Sequence, residues 1–234
     1  MPSTRHKNRE QAGRGLDGST LERDSLTGQV HAVLDAARES ILAVGWRRTT
    51  LTDVARRAGV SRMTLYRRWP DMTGLLGDLL TREWTAAMAT VTEAPHPEES
   101  LLDQVQQAVV EVARAIRDDE LFAKIIHVDP ELLLPYLLHR RGRSQELVLA
   151  MLEPLLREGQ RRSEIRPGDP VLMARTLLLT AQGFTLSVQT MTDGGSEMVP
   201  EEIVKQPSRR AAAPTTVADF ETELGTLVHR YLAP

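Results

Sequence analysis

TTLTDVARRAGVSRMTLYRRW, residues 49 to 69, is the stretch on which the fold of the whole chain turns. Its spacing is that of two short helices joined by a glycine turn. Thr50 stands as an N-cap with Asp53 three residues later as the acidic half of a capping box, and Leu51, Val54 and Ala55 share one helical face. Gly59 ends that helix where a positive φ is cheap, Val60 staples the turn, and Ser61 caps a second helix that carries Leu65 and Trp69 inward. A small Ala55 suits a close crossing of the two backbones. With Leu65 turned inward, Arg62, Met63, Thr64 and Tyr66 to Arg68 face outward, and this basic, hydroxylic surface suits a helix lying in a DNA major groove.

Working outward, Val30, Val33, Leu34, Ala37, Ile41 and Leu42 recur at three- and four-residue steps up to Gly45, which predicts a first helix packed across the other two. A fourth helix is expected from near Asp71 through Leu75, Leu76, Leu79, Leu80 and Trp84 to about Thr92, on the order of 30 Å long and so able to join two domains. Residues 1–28 are polar with no apolar period and read as a disordered tail. Its Arg5, Lys7, Arg9 and Arg14 are either solvated or within reach of a minor groove. Further helices are expected at 101–117, 119–127, 130–138, 144–162 (with Pro154 kinking it), 170–191 and 216–231, and no stretch alternates as a strand would. Residues 192–214, with adjacent glycines and three prolines, read as a mobile loop.

The quoted stretch, followed by the apolar start of a long helix at Leu75 and Leu76, resembles the DNA-binding domain of the tetracycline-repressor-like (TetR) family, over about residues 30 to 80. The resemblance implies an all-α protein: an N-terminal three-helix helix-turn-helix DNA-binding domain (29–75) and a larger C-terminal helical ligand-binding and dimerisation domain (76–234). It also implies a homodimer joined through the last two long helices, which here are apolar over much of their girth. Such a protein is a transcriptional repressor on a palindromic double-stranded DNA operator, released by a small-molecule effector. In the family a lysine that contacts phosphate usually stands at the start of the helix following the aromatic; here that place is taken by Met72.

Charge supports the DNA reading once it is divided along the chain. The net charge of the 234 residues is -3, yet residues 45–69 hold seven arginines against Asp53 alone, while residues 85–234 hold 15 basic and 22 acidic residues. Arg62, Met63 and Thr64, at the groove-facing start of the second helix, are the candidates for base readout. Thr50, Ser61, Tyr66, Arg67 and Arg68 are the candidates for phosphate contact. For a ligand, Trp84, Met88, Phe122, Ile126, Met151, Met173 and Phe184 are candidate cavity walls, with His127, Tyr136 and Gln182 as polar contacts.

Other classes find little support. No cysteine is present, so disulfides, thiol catalysis and cysteine metal sites are excluded. The six histidines are scattered without ligand spacing, and neither a phosphate-cradling glycine loop nor a GxSxG elbow occurs, so no metal, cofactor or catalytic residue is expected. No run approaches eighteen consecutive apolar residues and the first residues lack the apolar core of a signal peptide, which points to a cytoplasmic protein without a membrane partner. The sequence leaves open a helical small-molecule-binding protein or enzyme domain with an incidental basic motif, and a DNA-binding regulator that answers to no effector.

Overall fold

A computed structural model describes residues 18–92, 99–192 and 214–234, and among the described residues every regular element is helical. Four helices make up the N-terminal part: α1 (Gly18–Val44), α2 (Leu51–Arg57), α3 (Arg62–Arg68) and α4 (Met72–Thr92). Their ends follow the local chemistry of the sequence. Gly45, at φ 84°, stops α1; the Thr50 hydroxyl accepts the Asp53 N–H at 3.2 Å and donates to the Asp53 carboxylate at 2.6 Å; Gly59, at φ 67°, makes the turn. The Ser61 hydroxyl accepts the Thr64 N–H at 3.1 Å to start α3, and Asp71 accepts the Gly74 N–H at 2.8 Å to start α4.

The first helix is longer than its apolar period. It begins at Gly18, so residues 18–28, expected to belong to a disordered tail, are helical, while the rest of that tail lies outside the described residues. Once the segment from Val30 is seated by packing, adding turns at its N-terminal end needs no new nucleus, and neither Gly18 nor Gly28 suffices to stop it. The expected mobile loop at 192–214 likewise falls almost wholly outside the described residues.

The larger part consists of α5 (Leu101–Asp118), α6 (Glu120–Val128), α7 (Leu134–Leu138), α8 (Arg143–Arg161), α9 (Pro170–Ser187) and α10 (Val217–Leu232), with 3₁₀ turns at Pro130–Leu132 and Val188–Met191. The single helix expected at 130–138 is divided, because Pro135 withholds a backbone N–H and opens α7 as a new helix. Pro154 stands inside α8 without ending it. By length and composition alone the segment Pro170–Met191 could cross a membrane, although Arg175 and its threonines keep it from being an unbroken apolar run. In the fold it packs against α5, α8 and α10.

Two cores result. One gathers Val33, Leu34, Ala37 and Ile41 of α1, Leu51, Val54 and Ala55 of α2, Leu65 and Trp69, and Leu75 to Leu80 of α4, and it continues into Leu121, Phe122 and Ile125 of α6 and Leu133. The second gathers the inner faces of α5, α8, α9 and α10 around Val105, Leu156, Met173, Leu177, Leu224 and Val228. Residues of α4 and α6 complete the core of the three-helix unit. Packing of α4 on α5 and α8, and of α6 on α1, fixes the unit to the body.

Candidate nucleic-acid interface and interior cavity

Leu65 is the anchor of α3: it is 1% exposed, and around it every other side chain of the helix stands outward or half outward. Met63 is 80% exposed, an unusual placement for an apolar side chain and one that suits contact with a thymine methyl. Thr64 is half-buried, and its hydroxyl is shared with Ser61 at 2.8 Å, so what it offers outward is its methyl group. Arg62 and Arg67 are exposed with no partner among the described residues. The Arg68 guanidinium lies 5.2 Å from the centre of the Trp69 ring, held by cation–π attraction with its charge still available. Thr50, Ser61 and Tyr66 are exposed as well, so of the eight residues expected at a DNA interface all but the half-buried Thr64 are exposed.

The basic surplus is smaller in space than in sequence. Arg56 pairs with Asp53 at 2.9 Å and Arg57 with Glu39 at 3.1 Å. Arg47 pairs with Glu131, which raises the guanidinium above its ordinary value and holds the Glu131 carboxyl below the usual carboxylate range, chiefly through their hydrogen bond. Arg47 also faces Asp129 at 3.2 Å, a charge contact whose geometry is too poor for a hydrogen bond, while the other Asp129 oxygen accepts the Trp46 N–H at 3.1 Å. Asp129 is only 2% exposed, so this carboxylate ties the turn before α2 to the end of α6 from inside the protein. Among the described residues of the basic stretch, Arg48, Arg62, Arg67 and Arg68 remain free of carboxylate partners. In the sequence Arg48 is only one of seven arginines; that its charge is left unpaired becomes visible when its neighbours are paired off.

A second tie runs from the end of α3. The Trp69 indole N–H donates to Asp78 of α4 at 2.8 Å, and Asp78 also accepts from Arg143 at the start of α8. Next to Asp78, the backbone of Gly77 lies beside Tyr136 and Arg143. Tyr136 belongs to an interior cavity of about 160 Å³ between the two cores, walled by α4, α5, α6, α7, α8 and α9. Of the residues expected to line a cavity, Trp84, Met88, Phe122, Tyr136, Met151 and Gln182 do so. His127 does not: it is exposed, and its ring bonds to the Ala123 carbonyl oxygen at 2.7 Å. Phe184 and Met173 pack in the second core and Ile126 against the first, away from the cavity. Ser144 and Gln145, at the start of α8, line it without having been expected.

An exposed basic recognition helix, set by a glycine turn against its partner and carried on an all-helical body, defines a helix-turn-helix DNA-binding regulator. Comparison with known proteins narrows the class. The model of the bacterial regulatory proteins of the tetR family matches residues 33–79. An uncharacterized HTH-type transcriptional regulator of Mycobacterium bovis is 37% identical over 150 residues, 64% of this chain and 76% of the relative. Among solved structures, the fold is shared by the TetR family repressor AlkX of Dietzia sp., implicated in biodegradation of n-alkanes (TM-score 0.56, 19% identity, 86% of this chain and 92% of that one). It is shared also by the transcriptional regulator FadR of Bacillus subtilis in complex with stearoyl-CoA (TM-score 0.55, 15% identity, 86% and 98%). The chain belongs to the tetR family, and it is a DNA-binding transcriptional regulator.

Proposed function

We propose that the protein is a cytoplasmic homodimeric repressor that binds a palindromic operator and lets go when a small molecule fills the cavity. The observation that carries this reading is the sharing of α4: its Leu75, Leu76 and Leu79 seat the recognition helix, and its Leu80, Trp84 and Met88 wall the cavity. A ligand that prefers one placement of α4 shifts the placement of α3 by the same differential affinity. The FadR neighbour's complex with stearoyl-CoA supports the idea that a helical body of this kind accommodates a small molecule. In this reading residues 29–75 form the DNA-binding domain and 76–234 the ligand-binding and dimerisation domain. Arg62, Met63 and Thr64 read bases, Thr50, Ser61, Tyr66, Arg67 and Arg68 hold phosphates, and no cofactor or catalytic group takes part.

The dimer rests on α9 and α10. Leu172, Leu179 and Leu227 are exposed, and Gly183 stands on the same face of α9 as Leu172 and Leu179, where an added Cβ would meet nothing in this chain. A glycine inside a helix costs about 1 kcal/mol relative to alanine, and close approach of a second helix offsets that. Selection of bound sequences from random DNA with the full chain, followed by light scattering of the complex, tests the reading. Two protomers on half-sites about 34 Å apart are expected. A monomer on a single half-site would sink the dimer, and failure to enrich any sequence would sink operator binding.

A further inference from the structure

The cavity carries a statement about the chemistry of its occupant, resting on the reading of it as the effector site. Its wall is almost wholly hydrocarbon, supplied by residues such as Val109, Phe122, Leu152 and Leu177 from the facing edges of both cores. Lysine, arginine, histidine, aspartate and glutamate are all missing from the lining, and Tyr136 is its one ionisable residue. Arg143 and Arg140, neighbours of the lining residues Ser144 and Tyr136, lie outside the lining and are engaged: Arg143 is paired with Asp78, and exposed Arg140 lies 5.3 Å from the centre of the Tyr136 ring. An anion placed inside would lose its hydration and gain no partner charge.

Polar groups are present but neutral. Gln145 is spent on its own backbone, accepting the Gly142 N–H at 2.7 Å and donating to the Tyr136 carbonyl oxygen at 3.4 Å. The Trp84 N–H, the Tyr136 hydroxyl, the Ser144 hydroxyl and the Gln182 carboxamide have no hydrogen-bond partner among the described residues, although Ser144 is more than nine-tenths buried. All four can donate to a hydroxyl, ether or carbonyl oxygen, and all but the Trp84 N–H can also accept. The mouth is apolar as well, since Leu137, Met151 and Leu155 line the cavity and are exposed. We propose that this site takes an uncharged, largely apolar molecule bearing a single oxygen function, and rejects carboxylates of the same length.

A cavity of about 150 Å³ lined by apolar side chains holds a benzene-sized guest, and the exposed mouth at Leu137, Met151 and Leu155 lets a longer aliphatic chain extend from it, so an eight-carbon probe is appropriate here. Octan-1-ol and octanoate differ little in size and differ in charge. With a carboxyl pKa near the glutamate value of about 4.3, roughly one octanoate in a thousand is neutral at pH 7.5, and only that form can enter at no cost. The experiment titrates each probe into the full-length protein at pH 7.5, reading the fluorescence of Trp84, with Trp84→Phe to assign the signal, and the thermal midpoint. Octan-1-ol is expected to bind at least a hundredfold more tightly than octanoate, and Ala181→Leu, which fills space in the cavity, is expected to abolish binding while the helical content is retained. Equal or tighter binding of octanoate overturns the proposal, and so does the failure of both probes to bind. The effector reading is judged separately on selected operator DNA. Octan-1-ol that binds without loosening DNA leaves the cavity chemistry standing and removes the effector role; release by octanoate alone keeps the effector role and removes the chemistry.

Discussion

Replacing Asp78 by alanine tests how the recognition helix is held. The Asp78 carboxylate accepts the Trp69 indole N–H at 2.8 Å, and Trp69 is 4% exposed, so no water takes the place of the lost acceptor. A hydrogen bond to a charged group contributes about 1.5–3 kcal/mol, and a buried donor left without a partner costs a similar amount. The second contact of Asp78, to Arg143, is worth less: that side chain is 66% exposed, and such pairs contribute about 0–1 kcal/mol. Relief of the partly desolvated carboxylate offsets some of the loss, which leaves about 2 kcal/mol for Asp78→Ala. For a chain of this size that is a drop of about 4–8 °C in thermal midpoint. Asp78→Asn retains an acceptor for Trp69 and should lose about half as much, and Arg143→Ala less than 1 kcal/mol. Urea unfolding of the three variants, followed by circular dichroism, measures the series. Since Trp69 ends α3 and carries Arg68 over its ring, Asp78→Ala should also weaken operator binding, while Arg143→Ala should not. Equal destabilisation by Asp78→Ala and Arg143→Ala would refute the reasoning, because the buried indole bond would then contribute nothing.

Leu179→Glu puts a charge on the uncovered face of α9 (Leu179 is 72% exposed), so light scattering should report a monomer with the fold intact and much weaker operator binding; an unchanged dimer would place the interface elsewhere. Met72→Lys restores a cation at the start of α4 and should steepen the log–log salt dependence of DNA binding by about one unit, while Arg67→Ala should flatten it by about one. The half-buried Met72 packs against the first core, so a small loss of stability should accompany the gain in slope. Between α5 and α10, the hydrogen bonds from Arg114, helped by Arg117, hold the Glu221 carboxyl below its ordinary value of 4.5. The folded state thus favours the ionised form, and that stabilisation is complete above the ordinary value and lost as pH falls through the depressed one. Arg114→Ala should lower the urea midpoint at pH 7, and the difference from the parent protein should shrink in acid; a difference that grows in acid would reverse the sign of the argument.

What the sequence reveals and what it hides divide by distance along the chain. Thr50 with Asp53, Ser61 with Thr64, Gly45 and Gly59 act within four residues of themselves, so their caps and turns are legible before any fold is known. The pairing of Arg47 with Asp129 and Glu131 joins residues more than eighty positions apart, and no local pattern announces it. For that reason the basic surplus of the helix-turn-helix reads as larger than the charge it can present, and Arg48 is counted among the arginines without being singled out. Cavity residues fail for a matter of helical phase. His127 stands five positions after Phe122, about 140° round the helix, and Phe184 two after Gln182, about 160° round, so each leaves the cavity face that its neighbour keeps. Ser144 and Gln145 carry no apolar signal and become cavity residues only because the α7–α8 corner folds against Gly77.

The position of the cavity also decides which contacts inside it matter for DNA. Leu80, Phe122 and Leu133 belong at once to its wall and to the core that seats α3, whereas Val109, Ala113 and Leu177 belong to its wall and to the second core. Protein cores are close-packed and transmit displacement rather than absorb it, so pressure on Phe122 reaches Leu121 and Ile125 beside it on α6, and through Asp129 at its end the Trp46 N–H just before α2. Pressure on Leu80 travels along α4 to Asp78 and the Trp69 indole. Both routes end on the two flanks of the same helix-turn-helix. A molecule lying only against the second core binds with no differential energy between placements of α3 and changes nothing on DNA, however tightly it is held. In the proposed reading of the cavity as the effector site, affinity for the cavity and power over the operator are thus separate properties of a ligand, joined by contact with Leu80 and Phe122.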